Sequence, residues 1–288
     1  MSINVLYALE TILDRQASVL PPVINHVNSN RINGVGDLLE FYVKDSFCRD
    51  SFDFDTTDDK LACYQNVFSY LGNSNNPPDF IVRKGPAVEV KKIEGINTNG
   101  IALNSSQPKD YLYSNDPRIN VGCVNCENEL GGWTKKDMIY AVGNVVETRI
   151  HSLWFIYGDC YAADKSVYDR IAHTIRDGVS AIPGVEFGAT KELGRVNRVD
   201  PLGITYLRIR GMWGIEHPGA LYRNLTQLDN TKTNIFVLMK KDTYENIHNK
   251  PNLDRFVDGG ILSIADVEIS DPNNPVKKLD AVLFSAKF

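Results

Sequence analysis

The sequence predicts a mixed α/β fold with a central β-sheet flanked by helices. Stretches with apolar residues at helical spacing alternate along the chain with short apolar runs bounded by turn-forming residues. We predict helices over 1–20, 35–48, 135–147 and 165–177. We predict strands over 79–82, 87–92, 153–157, 204–209, 235–239, 261–269 and 281–284.

The first third of the chain predicts two helices followed by a hairpin. The run Asn-Ser-Asn-Asn-Pro-Pro at 73–78 breaks regular structure after the second helix. Lys84-Gly85-Pro86 then forms a turn between the strands at 79–82 and 87–92. The apolar face of the helix at 35–48 consists of Val35, Leu39, Tyr42, Val43 and Phe47.

The middle of the chain combines an irregular segment with regular elements. Residues 97–132 are rich in Asn, Ser, Pro, Asp and Gly, and such a long irregular segment inside a compact domain is often functional. The predicted helix at 165–177 places Val167, Ile171 and Ile175 on one face. The later apolar runs complete the predicted sheet.

Composition indicates a globular protein with one domain over 1–288. Its 288 residues are 43% hydrophobic and 23% charged, which is ordinary for a soluble protein and sufficient for a core without staples. We find no internal repeat or linker. Because no stretch reaches the roughly 20 apolar residues of a membrane span and the N-terminus lacks the features of a signal peptide, we expect no membrane association and a cytoplasmic location.

Charge is distributed unevenly along the chain. The net charge of −5 does not favour a nucleic-acid partner, but binding depends on where the charges lie. Residues 45–59 hold six aspartates and one arginine, whereas 191–223 hold six basic and three acidic residues, a net charge of +3. The second segment therefore permits a DNA-binding face.

The cysteines favour a reducing compartment. Five are present, an odd number that favours free thiols. Cys123 and Cys126 alone have the spacing of metal ligands, and no second pair is present to complete a tetrahedral zinc site. We interpret them as two thiols in a turn, with a zinc site completed by a distant Cys or His as the alternative.

Asp79, Glu89 and Lys91 form the pattern that points to chemistry. Because side chains alternate along a strand, Glu89 and Lys91 project to one side while Val88 and Val90 face the core. The intervening turn brings Asp79 next to Glu89. Adjacent carboxylates repel unless a cation lies between them, and Mg²⁺ held by carboxylates is suited to phosphodiester hydrolysis. Lys91 is then placed to orient or deprotonate the attacking water.

Two alternatives remain open at this site. An Asp followed by Glu-x-Lys recurs by chance in unrelated chains, so the pattern is also compatible with a surface hairpin that has a charged face. Glu40, in the helix at 35–48, is either a further acid near the metal or an ordinary solvated residue.

Several segments of the chain have long and unusual sequences, and together they resemble one known family. They are GVGD at 34–37, FSYLGN at 68–73 before Pro77-Pro78-Asp79, EVKKIE at 89–94, ALNSS at 102–106, WTKKDMIYAVG at 133–143, KELGR at 191–195 and DPLGITYLRIRGMW at 200–213. Over nearly the whole chain the sequence resembles the NgoPII family of type II restriction endonucleases, in the PD-(D/E)xK nuclease superfamily.

The resemblance implies a restriction-endonuclease-like core and cleavage of double-stranded DNA. It implies Mg²⁺ as the cofactor, with Asp79, Glu89 and Val90 as metal ligands and Lys91 as the catalytic lysine. It further implies a homodimer that cuts both strands of a short palindromic site, GGCC. A functionally paired DNA methyltransferase is also implied.

DNA contacts are predicted in elements inserted around 97–132 and 191–223. In the major groove, guanine favours Arg or Lys and cytosine favours acidic or amide groups. The arginines are equally suited to phosphate contacts or surface salt bridges, and the polar loop residues are equally suited to solvent exposure. The predicted DNA-binding residues are Lys92, Asn104, Ser105, Ser106, Lys109, Arg195, Asn197, Arg198, Asp200, Arg208 and Arg210.

Two other functions stay open as alternatives. One is a DNA repair or junction nuclease on the same core, which would recognise DNA shape instead of sequence. The other is a non-catalytic DNA-binding protein on the same fold, although the retained Asp79, Glu89 and Lys91 do not favour it. ATP-driven action is not expected, since the chain lacks a glycine-rich phosphate loop.

Overall fold

A computed structural model describes residues 3–20, 34–73 and 75–288. For residues 34–37 it describes the backbone alone. The side chains of the GVGD segment, including the predicted core contribution of Val35, therefore lie outside the described residues, as does Ser74 of the predicted break. The helices are α1 (Val5–Arg15), α2 (Gly34–Phe47), α3 (Thr57–Val67), α4 (Val121–Asn125), α5 (Gly158–Tyr161), α6 (Lys165–Ser180), α7 (Pro218–Leu221), α8 (Lys241–Glu245) and α9 (Asp254–Asp258), with short 3-10 helices at Arg49–Asp53 and Asn128–Leu130. The strands are β1 (Phe68–Tyr70), β2 (Phe80–Val82), β3 (Ala87–Glu94), β4 (Ile101–Asn104), β5 (Tyr111–Tyr113), β6 (Lys135–Val146), β7 (Arg149–Tyr157), β8 (Glu186–Phe187), β9 (Gly194–Asn197), β10 (Leu207–Ile209), β11 (Trp213–Ile215), β12 (Asn234–Lys240), β13 (Leu262–Asp271) and β14 (Asn274–Lys287).

A large mixed sheet forms the centre of the molecule, as the sequence predicts. Among the described residues its strand order is β1-β2-β3-β6-β7-β12-β14-β13, with β5 paired to β6. The β3–β6 and β7–β12 pairs are parallel and the others are antiparallel. The predicted α/β class with a central mixed sheet flanked by helices is therefore confirmed.

One predicted helix is wrong, because residues 135–147 form strand β6 instead. This strand lies between β3 and β7 and is buried from Met138 through Val145. A strand covered on both faces has a nearly continuous apolar sequence, which spacing alone cannot distinguish from that of a buried helix. The predicted strand at 204–209 also shortens, since only Leu207–Ile209 is extended and paired.

Helix α2 packs against the large sheet and fixes the position of Glu40. Phe47 near its end makes edge-to-face contacts with Phe80 of β2 and Phe155 of β7. Gly143 of β6 allows the close approach, because an added Cβ there would lie 2.7 Å from a methyl group of Leu39. This packing places the neighbouring Glu40 beside the hairpin formed by β2 and β3.

A fully buried polar cluster fixes the far end of α2. Asp45 accepts hydrogen bonds from Lys60 (2.6 Å), Tyr64 (2.6 Å) and Ser51 (2.5 Å). The side chains of Lys60 and Asp45 are both 0% exposed. Since a buried charge is tolerated only with partners that satisfy it, the cluster ties α2 to α3 and to the turn between them.

A small sheet lies apart from the large one and carries the basic segment. Among the described residues β8, β9 and β10 form a three-stranded antiparallel sheet that α6 contacts through Val179 and Gly194. Strand β11 follows directly and pairs with β4, so that Trp213 lies opposite Asn104. The small sheet is therefore joined to the segment that follows the catalytic strand.

Candidate active site

The structure brings Asp79, Glu89 and Lys91 together at one edge of the hairpin β2–β3. Asp79 precedes β2 and its backbone N–H donates to the Val88 carbonyl (3.0 Å). Its Oδ2 accepts a hydrogen bond from the Val90 N–H at 2.6 Å, which holds the carboxylate beside β3. On β3 itself the Lys91 Nζ donates to Glu89 Oε1 at 2.7 Å. The same-side projection that strand alternation predicts for Glu89 and Lys91 is therefore present.

A glycine next to the site makes room for Asp79. Gly72 has a φ of +83°, and an added Cβ would lie 2.2 Å from the Asp79 carbonyl oxygen. Such a distance is far below van der Waals contact, and the left-handed backbone also disfavours other residues. Gly72 thus allows the segment after β1 to cross directly beside the catalytic aspartate.

Burial and mutual repulsion control the charges of the site. Desolvation, with the negative charges of Glu89 and Glu40, raises the pKa of Asp79 to about 8. Burial acts to lower the pKa of Lys91, but the opposite charges of Glu89 and Asp79 outweigh it and the pKa is raised overall. Lys91 is therefore a stable ammonium group, while burial and the neighbouring negative charges disfavour ionisation of Asp79.

The carboxylate pair has unused capacity to bind a cation. Glu89 Oε2 is buried without a hydrogen-bond partner in the described part of the chain. Within that part no three His, Cys, Asp or Glu side chains cluster closely enough to hold a metal ion. Mg²⁺ usually binds one or two carboxylates and takes its other ligands from water and substrate phosphates, so Asp79 and Glu89 suit it. Val90 can contribute only its backbone carbonyl, because its side chain packs against the core.

Glu40 faces the same group of charges from α2. Its charge is one of those that raise the pKa of Asp79, which places it near the carboxylate pair. Glu40 Oε1 accepts a hydrogen bond from Lys44 at 2.6 Å, and Lys44 also donates to the Leu71 carbonyl (3.3 Å). Of the two interpretations the sequence left open, the structure favours an acid near the catalytic pair, although not one within a three-ligand cluster.

Asp79, Glu89 and Lys91, the predicted catalytic residues, line a polar cleft of about 200 Å³. Sequence reasoning missed Arg118, which lines this cleft from the irregular segment and forms no salt bridge with any described residue. The Asn76 side-chain amide donates a hydrogen bond to the Arg118 carbonyl (2.7 Å). This bond joins the wall of the cleft that precedes Asp79 to the wall that carries Arg118. A larger cavity of about 980 Å³ lies near Lys84 and Tyr111 and contains none of the predicted catalytic residues.

The predicted DNA contacts after β3 divide into two groups. Asn104, Ser105 and Ser106 line the catalytic cleft, where a nucleic acid could reach them. Lys109 is 5% exposed and its ammonium group pairs with Asp116 (3.1 Å), so it is far less accessible than these three residues. Lys92 follows Lys91 directly in β3, so its side chain lies on the opposite face of the strand. There its ammonium group forms a salt bridge with Glu94 at 2.7 Å.

The predicted contacts in the basic segment lie on the small sheet. In β9 the Arg195 guanidinium donates a hydrogen bond to Asn197 Oδ1 (3.0 Å). Arg208 and Arg210 both form salt bridges with Glu192 (2.6 Å each). These arginines are exposed, as is Arg198 in the β9–β10 connection.

Asp200 behaves differently from its basic neighbours. Both of its carboxylate oxygens accept hydrogen bonds from backbone N–H groups of its own loop. The carboxylate therefore stabilises the turn, and in this structure neither oxygen is free of a protein donor.

The two cysteines with ligand-like spacing lie in a helix and at its end, not in the predicted turn: Cys123 is in α4 and Cys126 directly follows it. Cys123 is buried, Cys126 Sγ contacts Ser69 Oγ (3.6 Å), and all five cysteines are free thiols. In the described ranges no third Cys, His, Asp or Glu joins the two in a group that could hold a metal ion.

A mixed α/β sheet in which two carboxylates and a lysine meet on the hairpin β2–β3 is consistent with a restriction-endonuclease-like protein. The chain belongs to the NgoPII restriction endonuclease family, whose model matches residues 3–270. It is 42% identical over 260 residues to the type II restriction enzyme NgoPII of Neisseria gonorrhoeae, covering 90% of this chain and 91% of that one. No solved structure matches the chain significantly. None of the described helices has the length and apolar character needed to cross a bilayer.

Proposed function

We propose that this type II restriction enzyme hydrolyses phosphodiester bonds in double-stranded DNA at a short palindromic site, GGCC, with Mg²⁺ as cofactor. It acts as a homodimer in the cytoplasm and is paired with a DNA methyltransferase. One endonuclease domain spans the chain, and the elements around 97–132 and 191–223 recognise DNA within it. Family membership supports the proposed activity, and the free cysteines support a reducing compartment such as the cytoplasm.

The meeting of Asp79, Glu89 and Lys91 in one polar cleft is the observation that supports hydrolysis. Burial and the negative charge of Glu89 disfavour ionisation of Asp79, and one Glu89 oxygen is buried without a partner. Purely structural carboxylates are usually satisfied by protein donors, so a buried carboxylate oxygen without a donor, beside a second carboxylate and a lysine, supports a site made for a cation.

Mg²⁺ bound to Asp79 and Glu89, with the Val90 carbonyl, would neutralise charge on a scissile phosphate and lower the pKa of an attacking water. Lys91, held by Glu89 at 2.7 Å, is placed to orient that water and to offset negative charge as the phosphate is attacked. Glu40 adds negative potential that strengthens cation binding.

Several further residues are placed to hold the DNA backbone and bases. Arg118 lines the cleft with a cation that suits a phosphate oxygen. Asn104, Ser105 and Ser106 can donate to backbone or base edges beside the scissile bond. The arginines of the small sheet supply the groups that guanine and phosphate favour, whereas the buried Lys109 does not contribute.

The decisive experiment is digestion of a sequenced plasmid by the full-length protein, followed by mapping of the fragment ends. We expect double-strand cleavage at GGCC in Mg²⁺ and none in EDTA. Ends that map to another short palindrome would replace the proposed site but keep the activity. Cleavage that is confined to branched DNA would indicate a junction or repair nuclease, and binding without any nicking would indicate a non-catalytic DNA-binding protein.

A further inference from the structure

The turn between β9 and β10 exposes apolar side chains at its end. Leu202 is 81% exposed and Ile204 is 76% exposed, and Tyr206 in the same connection is 63% exposed. Single exposed apolar residues are common and need no explanation, whereas several close together mark an interaction site. Such side chains contribute to free energy only when a partner removes them from water.

This turn is held in one conformation by its own hydrogen bonds. The Gly203 N–H donates to the Asp200 carbonyl (2.8 Å), and the Val199 N–H donates to the Thr205 carbonyl (3.1 Å). The Asp200 carboxylate accepts from the Leu202 N–H (3.0 Å) and the Thr205 N–H (2.7 Å). A preformed loop loses little conformational entropy when it binds, so Leu202 and Ile204 are displayed ready for a partner.

Cations surround the apolar end of the turn. The Arg198 side chain lies against Gly203, where an added Cβ would be 2.9 Å from Arg198 Nε. The Arg195 guanidinium lies 5.4 Å from the centre of the Tyr206 ring. Apolar side chains flanked by arginines complement DNA, which offers phosphates outside and stacked bases inside.

The turn is also connected to the catalytic cleft. Strand β10 leads through 210–212 into β11, whose Trp213 lies opposite Asn104 of β4. Asn104 in turn lines the cleft with Asp79 and Glu89. The β9–β10 hairpin is therefore joined to the wall of the cleft by the three residues that separate β10 from β11.

We propose that Leu202 and Ile204 form an apolar wedge that inserts between neighbouring base pairs of DNA bound in the cleft. Arg195 and Arg198 contact the flanking phosphates. Apolar wedges of this kind partly unstack a base step and kink the duplex. The inference rests on the proposed function and adds a way in which the enzyme deforms its substrate.

The test uses full-length protein in Ca²⁺, to allow binding without cleavage, and short duplexes that contain the mapped site. Each duplex carries one fluorescent base analogue, pyrrolocytosine in place of a cytosine within the site or 2-aminopurine in place of an adenine beside it, and the fluorescence of either analogue rises when that base is unstacked. We expect a rise at one step with the wild-type protein and none with the double variant Leu202→Ala, Ile204→Ala. The double variant should bind about tenfold more weakly or worse, with an unchanged salt dependence because no charge is lost.

Val276→Ala is the matched control. Val276 lies in β14 and is 89% exposed, so its truncation removes exposed apolar surface away from the hairpin, although less than the double variant loses. We expect this variant to keep both the fluorescence rise and the affinity.

Three results would overturn the wedge. The first is a wild-type protein that cuts DNA but unstacks no labelled position, which leaves the proposed function intact. The second is a double variant that dissociates from a dimer to a monomer in sedimentation while the unstacking persists, because the apolar end would then contact a second copy of the chain. The third is a wild-type protein that neither binds nor cuts DNA, which removes the proposed function as well.

Discussion

The large sheet and the small sheet use charged residues in opposite ways. Around the large sheet, Asp45 pairs with Lys60 and Glu127 pairs with Lys136, and each of these side chains is at most 5% exposed. On the small sheet, Arg208 pairs with Glu192 while its own side chain is 48% exposed.

This difference is the one expected between a scaffold and the recognition surface that we propose for the small sheet. A buried ion pair must keep its partner, since loss of one partner leaves an unsatisfied charge in a poorly polarisable environment. Such pairs therefore fix the backbone around the catalytic hairpin. An exposed pair is weak and screened by salt, so an arginine of the small sheet can exchange a carboxylate for a DNA phosphate at low cost.

The largest effect is expected at the catalytic residues of the large sheet. Asp79→Asn and Lys91→Ala should each slow cleavage about a thousandfold or more, because each removes a group that acts on the reacting phosphate. Binding in Ca²⁺ should survive, as measured by fluorescence anisotropy. Lys277→Ala, a 64% exposed lysine of β14, is the control and should cut normally. Wild-type cleavage by either site variant would refute its assigned role.

The next effect concerns the buried pair that anchors α2. Lys60→Met should lower the free energy of unfolding by about 3–5 kcal/mol, because it leaves Asp45 buried without its counter-ion. Urea denaturation measures this difference. Lys241→Met removes the exposed partner of Asp266 (2.9 Å), and the free energy of unfolding should fall far less, because solvent screens an exposed pair. Equal losses in the two variants would contradict the contrast between buried and exposed pairs.

A smaller effect is expected from the cation that lines the cleft. Arg118→Gln should reduce the cleavage rate about tenfold to a hundredfold, which corresponds to one lost hydrogen bond to a charged phosphate. The urea midpoint should stay unchanged, since Arg118 forms no salt bridge in the described part of the chain. A shifted midpoint with full activity would assign Arg118 a structural role.

The smallest effect is expected on the small sheet. Arg195→Gln should reduce the slope of log affinity against log salt by about one, because one phosphate contact is lost. Folding stability should not change. Lys277→Gln removes an exposed positive charge from β14 and serves as the control. An equal change of slope in both variants would show that general electrostatics, and not a contact by Arg195, is responsible.

The catalytic hairpin was predictable because its geometry is local. Asp79 and Glu89 belong to strands joined by a short turn, and alternation along β3 places Glu89 and Lys91 on one side without help from distant residues. The role of 135–147 was not predictable from spacing, since β6 becomes a strand only by pairing with β3 and β7. Arg118 was missed for a related reason, because its place in the cleft depends on how the irregular segment folds back to Asn76.

The sequence by itself determined the class of fold, the catalytic hairpin and the family to which the chain belongs. All of these depend on periodicity, turn residues and motifs that lie close together along the chain. Tertiary structure alone decided which charged side chains are exposed and therefore accessible to a binding partner. Lys109 is buried while Arg195 is exposed, because burial depends on what distant segments pack against each side chain. The same packing decided that Asp200 shapes a turn and that Leu202 is left facing solvent.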